Sequence, residues 1–149
     1  MSKEFVLTLK PIFIGFSDLL GIDWTVLAGQ VMTESGGDPN ATGGVGEIGL
    51  AQIMLTTAQD RMPSITKEEL YKPEVNVIMQ GLYLAWLRRY LKEFKNCDDW
   101  RMVFSSFNWG IGNVKYVLDA GGTYDDVPIK VKGYVEKVYR LADMFQDEG

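Results

Sequence analysis

Six of the fourteen residues from 36 to 49 are glycine, and a helical pattern runs straight into them. Upstream, Trp24, Leu27, Val31 and Glu34 recur at i, i+3, i+7 and i+10, which is one face of an α-helix. Three of the four are apolar, and Glu34 stands where the next core residue belongs. Gly36 and Gly37 stop the helix just beyond it. A segment this rich in glycine takes positive φ freely and lets a ligand approach its backbone. The plain alternative is a flexible loop. Order resumes at Gly49-Leu50-Ala51-Gln52-Ile53-Met54, and Thr56-Thr57-Ala58 opens a short helix.

The position of Glu34 has a chemical consequence. A carboxylate turned toward an apolar face loses hydration, which raises its pKa. The negative end of the helix dipole acts in the same direction. A carboxyl group kept protonated near neutral pH suits a general acid. The alternative is a Glu34 that turns out to solvent at a fraying helix end.

Composition narrows the chemistry further. The chain has no histidine, which excludes Ser-His-Asp and Cys-His catalysis and His-ligated metals within it. Its one cysteine, Cys97, permits neither an intramolecular disulfide nor a thiolate zinc cluster. Acid–base work therefore falls to carboxylates and tyrosine, and no metal or cofactor is expected. Fifteen basic against twenty acidic residues give a net charge of −5, which argues against nucleic acid as a partner. A length of 149 residues predicts a single domain over 1–149, and 46% hydrophobic with 23% charged residues argue against disorder. The apolar stretch Phe5 to Phe16 is broken by Lys10 and Pro11 and is too short to span a bilayer. No cleavage site follows it, and Gln30 stands where a lipoprotein box at Leu27-Ala28-Gly29 requires cysteine. No membrane span or signal peptide is expected.

The remaining pattern is mainly helical, without internal repeats. Pro11 and Gly21 bracket a helix over 11–20, and Asp23 caps one over 24–35. Thr66-Lys67-Glu68-Glu69 is a capping box. Pro73 begins the longest helix, to about Phe94, with Val75, Ile78, Met79, Leu82, Trp86, Tyr90 and Phe94 as its core stripe. Trp86 is read as core and Asn76 as scaffold. Asp98 caps a helix to about Phe107, and another starts near Ile111. Asn108 at that turn either binds the N-acetyl or hydroxyl groups of a sugar or caps the next helix. Trp109 either stacks on a sugar ring or packs internally. The last helix, about Ile129 to Phe145, carries Val131, Tyr134, Val135, Val138, Leu141, Ala142 and Phe145 on one face, with Tyr134 either a core aromatic or a groove residue.

Four blocks in order carry a family resemblance. Glu34-Ser35-Gly36, then Gly49-Leu50-Ala51-Gln52-Ile53-Met54 with Thr57-Ala58, then Ser105-Ser106-Phe107-Asn108-Trp109-Gly110-Ile111-Gly112-Asn113-Val114, then Tyr134-Val135-Glu136-Lys137-Val138 resemble the soluble lytic transglycosylase domain. The segment Leu70 to Val77 resembles that family's helix with Pro and Asn at its start, and Glu34 and Gly49 stand fifteen residues apart, a spacing common in the family. The resemblance covers roughly residues 16 to 145. It implies a mainly α, lysozyme-like domain with a substrate groove, and cleavage of the β-1,4 bond between N-acetylmuramic acid and N-acetylglucosamine in peptidoglycan. Glu34 is then general acid and base, and the product is a 1,6-anhydro sugar. Ser35, Gly49, Leu50, Gln52, Met54, Phe107, Asn108 and Tyr134 become candidate substrate contacts. There are departures from the family pattern. Gly43 replaces a serine common nine residues after the glutamate, Ala51 a methionine, Leu55 a proline and Phe107 a tyrosine. Ser35, Thr42, Ser105 or Ser106 are the hydroxyls left to compensate.

Two rivals stand beside this reading. A hydrolytic lysozyme needs a second carboxylate, for which Glu47 and then Asp38 are candidates, each with the alternative of a solvated loop charge. A wall-binding or phage structural domain would have lost catalysis. A wall enzyme without a signal peptide is expected to be a phage lysin or virion-borne, and a monomer.

Overall fold

The computed structural model describes residues 2–148. Regular structure among these residues is helical: α1 (Ser2–Leu7), α2 (Lys10–Leu20), α3 (Trp24–Ser35), α4 (Leu55–Arg61), α5 (Lys67–Leu70), α6 (Pro73–Lys95), α7 (Trp100–Trp109), α8 (Ile111–Asp119) and α9 (Ile129–Ala142), with 3-10 turns at Tyr124–Asp126 and Asp143–Glu148. Extended pairing among them is confined to isolated bridges of Ile48 with Thr42 and with Ile53. No single helix among the described residues is long and apolar enough to cross a membrane. The chain divides into two compact units. Described residues up to Leu82 and from Val138 onward form the first, and Tyr83–Lys137 the second.

In the first unit, local chemistry sets the helix ends. Pro11 lies in the first turn of α2, and Gly21, at φ 71°, closes it by donating its N–H to Ser17 O at 2.8 Å. Asp23 caps α3, accepting from the Thr25 N–H at 3.0 Å and the Thr25 hydroxyl at 2.7 Å. Every residue from Thr25 to Val31 is buried. Gly29 explains how α3 can be so enclosed. A Cβ there would lie 2.5 Å from Val138 O and 2.7 Å from Ala142 N, so the end of α9 crosses α3 backbone to backbone. Phe145, just past α9, meets Trp24 edge to face at 6.0 Å. Thr66 and Glu69 form the expected capping box. Helix α1 was not expected from the sequence.

The buried face of α6 differs from the expected stripe. Of that stripe, Met79 is buried, whereas Ile78, Leu82, Trp86 and Phe94 are exposed, Phe94 to 68%. The buried side chains are those of Asn76, Val77, Met79, Gln80, Leu84, Leu87 and Leu91. Two of these are amides, which disguises the face in a hydrophobicity pattern. Gln80 is satisfied by donating to Gln30 Oε1 at 2.8 Å and to Leu27 O at 3.1 Å. The expectation of Trp86 as a core residue is therefore corrected: it is 41% exposed. It lies in an aromatic row with ring centroids 6.5 Å from Tyr83 and 5.4 Å from Tyr90, and Tyr90 continues to Phe94 at 5.3 Å.

The second unit buries Leu84, Leu87, Leu91, Met102, Val103, Phe104, Val114, Val127, Val131 and Val135. Each large apolar side chain contributes about 1.5–3 kcal/mol before chain entropy is set against it. Helix α6 ends where Asn96 turns to φ 50° and the Cys97 N–H reaches back to Leu91 O at 2.9 Å. The cap of α7 is Asp99, which accepts from the Arg101 N–H at 2.9 Å, and not Asp98. Asp98 instead faces Arg88 at 3.7 Å and Lys92 at 3.9 Å.

Candidate active site

Glu34 is the penultimate residue of α3 and is half-buried. Gly36, at φ 66°, ends the helix and donates its N–H to Met32 O at 3.0 Å. The carboxyl group therefore lies in the last turn, where the dipole disfavours negative charge. Ser35 beside it bonds back to Val31 O at 3.3 Å and accepts the Gly37 N–H at 3.2 Å.

The glycine-rich loop that follows is tightly organised. Ile48 and Ile53 exchange both backbone hydrogen bonds at 3.0 Å, Gly49 N donates to Ala41 O at 2.8 Å, and Gly43 N donates to Glu47 O at 2.8 Å. Gly49, at φ 74°, has the Asn76 amide where a Cβ would stand, 2.5 Å away. Asn76 is fully buried and holds this backbone from α6. It accepts from Ala51 N at 2.8 Å and donates to Ile48 O and Leu70 O, both at 2.9 Å. The scaffold role read from the sequence holds, and its object is the loop after Glu34.

Gln52 takes a left-handed φ of 53°, a conformation that costs a non-glycine residue about 1–3 kcal/mol. Its side chain clips the loop together, with Nε2 donating to Gly49 O at 2.9 Å and Ala41 O at 3.2 Å. As a substrate contact it offers only its carbonyl oxygen. Leu50 and Ala51 are fully enclosed, and Met54 is exposed at the start of α4. The structure thus draws Gly49, Leu50 and Gln52 into one clipped loop.

Phe107, Asn108 and Tyr134 belong to the second unit. Phe107 packs on Tyr83 at 5.2 Å, Asn108 is exposed in the last turn of α7, and Tyr134 is half-buried on α9. Asn108 is not the cap of α8. Gly110 holds that position without a side-chain capping bond, and Asn113, inside α8, donates back to Trp109 O at 2.7 Å.

Of the hydroxyls left to compensate for the missing serine, Ser105 and Ser106 are buried and spent on Arg101 O at 2.7 Å and Met102 O at 2.8 Å. Thr42 pairs with the Tyr71 hydroxyl. Asp38 accepts the Asn40 N–H at 2.9 Å in a local turn. Burial pushes the Cys97 thiol up from its ordinary value of 9.0, away from thiolate chemistry. Among the described residues no three acidic, histidine or cysteine side chains converge on a metal-sized site.

The profile of the transglycosylase SLT domain matches residues 13–128, which include Glu34, the clipped loop and the Phe107-Asn108 block. Tyr134 lies beyond the matched segment. A transglycosylase of Enterobacteria phage PRD1 is 31% identical over 99 residues, 64% of this chain and 35% of the phage protein. The 70-kDa soluble lytic transglycosylase, solved in complex with bulgecin A, shares the fold with a TM-score of 0.75 and 23% identity over 97% of this chain and 25% of that one. The lytic transglycosylase Slt of Pseudomonas aeruginosa gives a TM-score of 0.71 and 19% identity over 91% of this chain and 23% of its own. The chain spans about a third of the phage relative and about a quarter of the two solved enzymes. Helical architecture and a match over most of its length agree: the chain belongs to the transglycosylase SLT domain family.

Proposed function

We propose that residues 1–149 act as one catalytic domain that cleaves peptidoglycan glycan strands at the β-1,4 bond between N-acetylmuramic acid and N-acetylglucosamine. The observation that carries this reading is the half-buried Glu34 in the last turn of α3, ahead of a clipped glycine loop, in a chain of this family. Glu34 donates its proton to the glycosidic oxygen as the C1–O bond breaks. The resulting carboxylate then takes the proton of the muramic acid 6-hydroxyl, whose oxygen closes on C1. The product is a 1,6-anhydro sugar, and no water is consumed. One carboxyl group serves both steps, whereas a hydrolase needs two at a defined separation. Ser35, Gly49, Leu50, Gln52, Met54, Phe107, Asn108 and Tyr134 are the proposed substrate contacts, and the sequence blocks that contain them support the assignment. The net charge of −5 gives no general attraction to an anionic wall, so recognition rests on specific contacts. The phage relative supports delivery by a phage, and we propose a monomer.

Glu34→Gln tests the assignment. Clearing of purified peptidoglycan falls by about 100-fold or more, while the circular dichroism spectrum and melting temperature stay those of the parent. Unchanged clearing removes Glu34 from catalysis. Mass analysis of the wild-type digest returns anhydro-muropeptides, and a predominance of reducing muramic acid transfers the reading to a hydrolytic lysozyme.

A further inference from the structure

Gly43 lies within the loop that follows Glu34, and its φ is not left-handed. The absence of a side chain there leaves room for two neighbouring side chains. A Cβ at this position would lie 2.4 Å from Glu47 Oε1, 2.6 Å from Glu47 Cδ and 2.7 Å from Gln52 Oε1. A carboxylate oxygen and an amide oxygen therefore converge over one point, both within 2.7 Å of it. Both atoms are held in place. Glu47 Oε1 accepts the Val45 N–H at 2.9 Å, and the Gln52 amide cannot flip without losing the two donations of its Nε2, at 2.9 and 3.2 Å. The carbonyl of Gln52 only accepts, and an ionised Glu47 only accepts. Both oxygens lie against the open face of Gly43, and each has lone-pair capacity for a further donor. Both side chains are half-buried, and the loop around them is open, with Thr42, Gly44, Val45 and Gly46 exposed.

We propose that Glu47 and Gln52 form an acceptor pair that receives a hydroxyl or amide N–H of the bound amino-sugar strand. The inference rests on the glycan-cleaving reading above, which already includes Gln52, and adds Glu47 to its contacts. Glu47 binds through its two oxygens and takes no part in bond cleavage.

The test uses the full chain carrying Glu34→Gln, so that substrate is bound but not turned over. The probe is soluble, uncrosslinked strands of alternating N-acetylglucosamine and N-acetylmuramic acid, with Kd measured by calorimetry. Adding Glu47→Ala weakens binding by about ten-fold, the usual loss when one charge-assisted hydrogen bond is removed. Glu47→Gln, which keeps an acceptor for the Val45 N–H, weakens it by less. Gly43→Ala, whose new methyl group displaces both oxygens, weakens it about as much as Glu47→Ala. The double variant is no weaker than either single one, because both remove the same pair. A merely structural Glu47 would lower the melting temperature and leave Kd unchanged, and that result overturns the proposal. Additive losses in the double variant overturn it as well. If the Glu34→Gln protein binds no strands at all, the glycan-cleaving reading fails and takes this one with it. If it binds and Glu47→Ala changes nothing, only the acceptor pair falls.

Discussion

Asn76 Oδ1 accepts the Ala51 N–H at 2.8 Å across 25 residues of sequence, inside the protein. The same side chain closes two further bonds to Ile48 O and Leu70 O. Asn76→Leu takes the side-chain partner from the Ala51 N–H and Leu70 O, while Ile48 O keeps the Ile53 N–H, and each buried group left unsatisfied costs about 1–3 kcal/mol. The expected melting point falls by roughly 10 °C on the scale of a chain this size. Activity falls further than stability does, because the released backbone is the loop after Glu34. Scanning calorimetry and a turbidity assay on the same samples check both halves.

Two glycines in helices respond to alanine with opposite signs. Gly29→Ala forces a methyl group against the α9 backbone at 2.5–2.9 Å and destabilises by about 1–3 kcal/mol or more. Gly15→Ala, exposed inside α2 with nothing within 4 Å, stabilises by about 0.5–1 kcal/mol. Urea titrations of the two variants read this difference directly.

The hydroxyl of Thr25 and then its N–H hold the Asp23 carboxyl below its ordinary value of 3.8. A folded-state pKa that is depressed means stability that is fully present above the unfolded value and lost as pH falls through the folded one. Asp23→Ala therefore costs about 1 kcal/mol near neutrality. Below pH 3.8 the variant and its parent converge. Melting temperatures of both proteins between neutrality and acid follow the closing gap.

The two faces of α6 separate under mutation. Leu91→Ala, at a buried site, costs about 2–5 kcal/mol. Phe94→Ser, at a site 68% exposed and touching the Tyr90 ring, changes stability by less than about 1 kcal/mol. Equal losses in chemical denaturation would restore the expected stripe.

That helix shows where the sequence stops being legible. Its start at Pro73 and its length follow from local signals, as do the Asp23 cap, the Gly21 and Gly36 ends and the Thr66 capping box. Local signals suffice because each is a bond between residues two to four apart. The face of α6 is a tertiary property. It carries apolar side chains on two stripes, and the buried one includes Asn76 and Gln80, most of whose partners lie 25 to 53 residues away. Polarity counts against burial until those partners are known. The site divides the same way. The position of Glu34 near the end of α3 was readable from spacing, whereas the clip made by Gln52 and the approach of Glu47 to Gly43 needed coordinates. The choice of Asp99 over Asp98 as a cap turns on where Arg88 and Lys92 draw the neighbouring carboxylate.

Gly37, three residues past Glu34, has Ser2 Cβ 2.9 Å and Val6 Cγ2 3.1 Å from where its own Cβ would be, so α1 leans on the turn that follows Glu34. Lys3 ties the other side of that helix to Glu148 at 3.3 Å. Bulk added at Ser2 or Val6 would therefore press on the turn next to Glu34, far away in sequence. Changes made to that first helix belong among the controls whenever clearing by a Glu34 variant is compared with its parent.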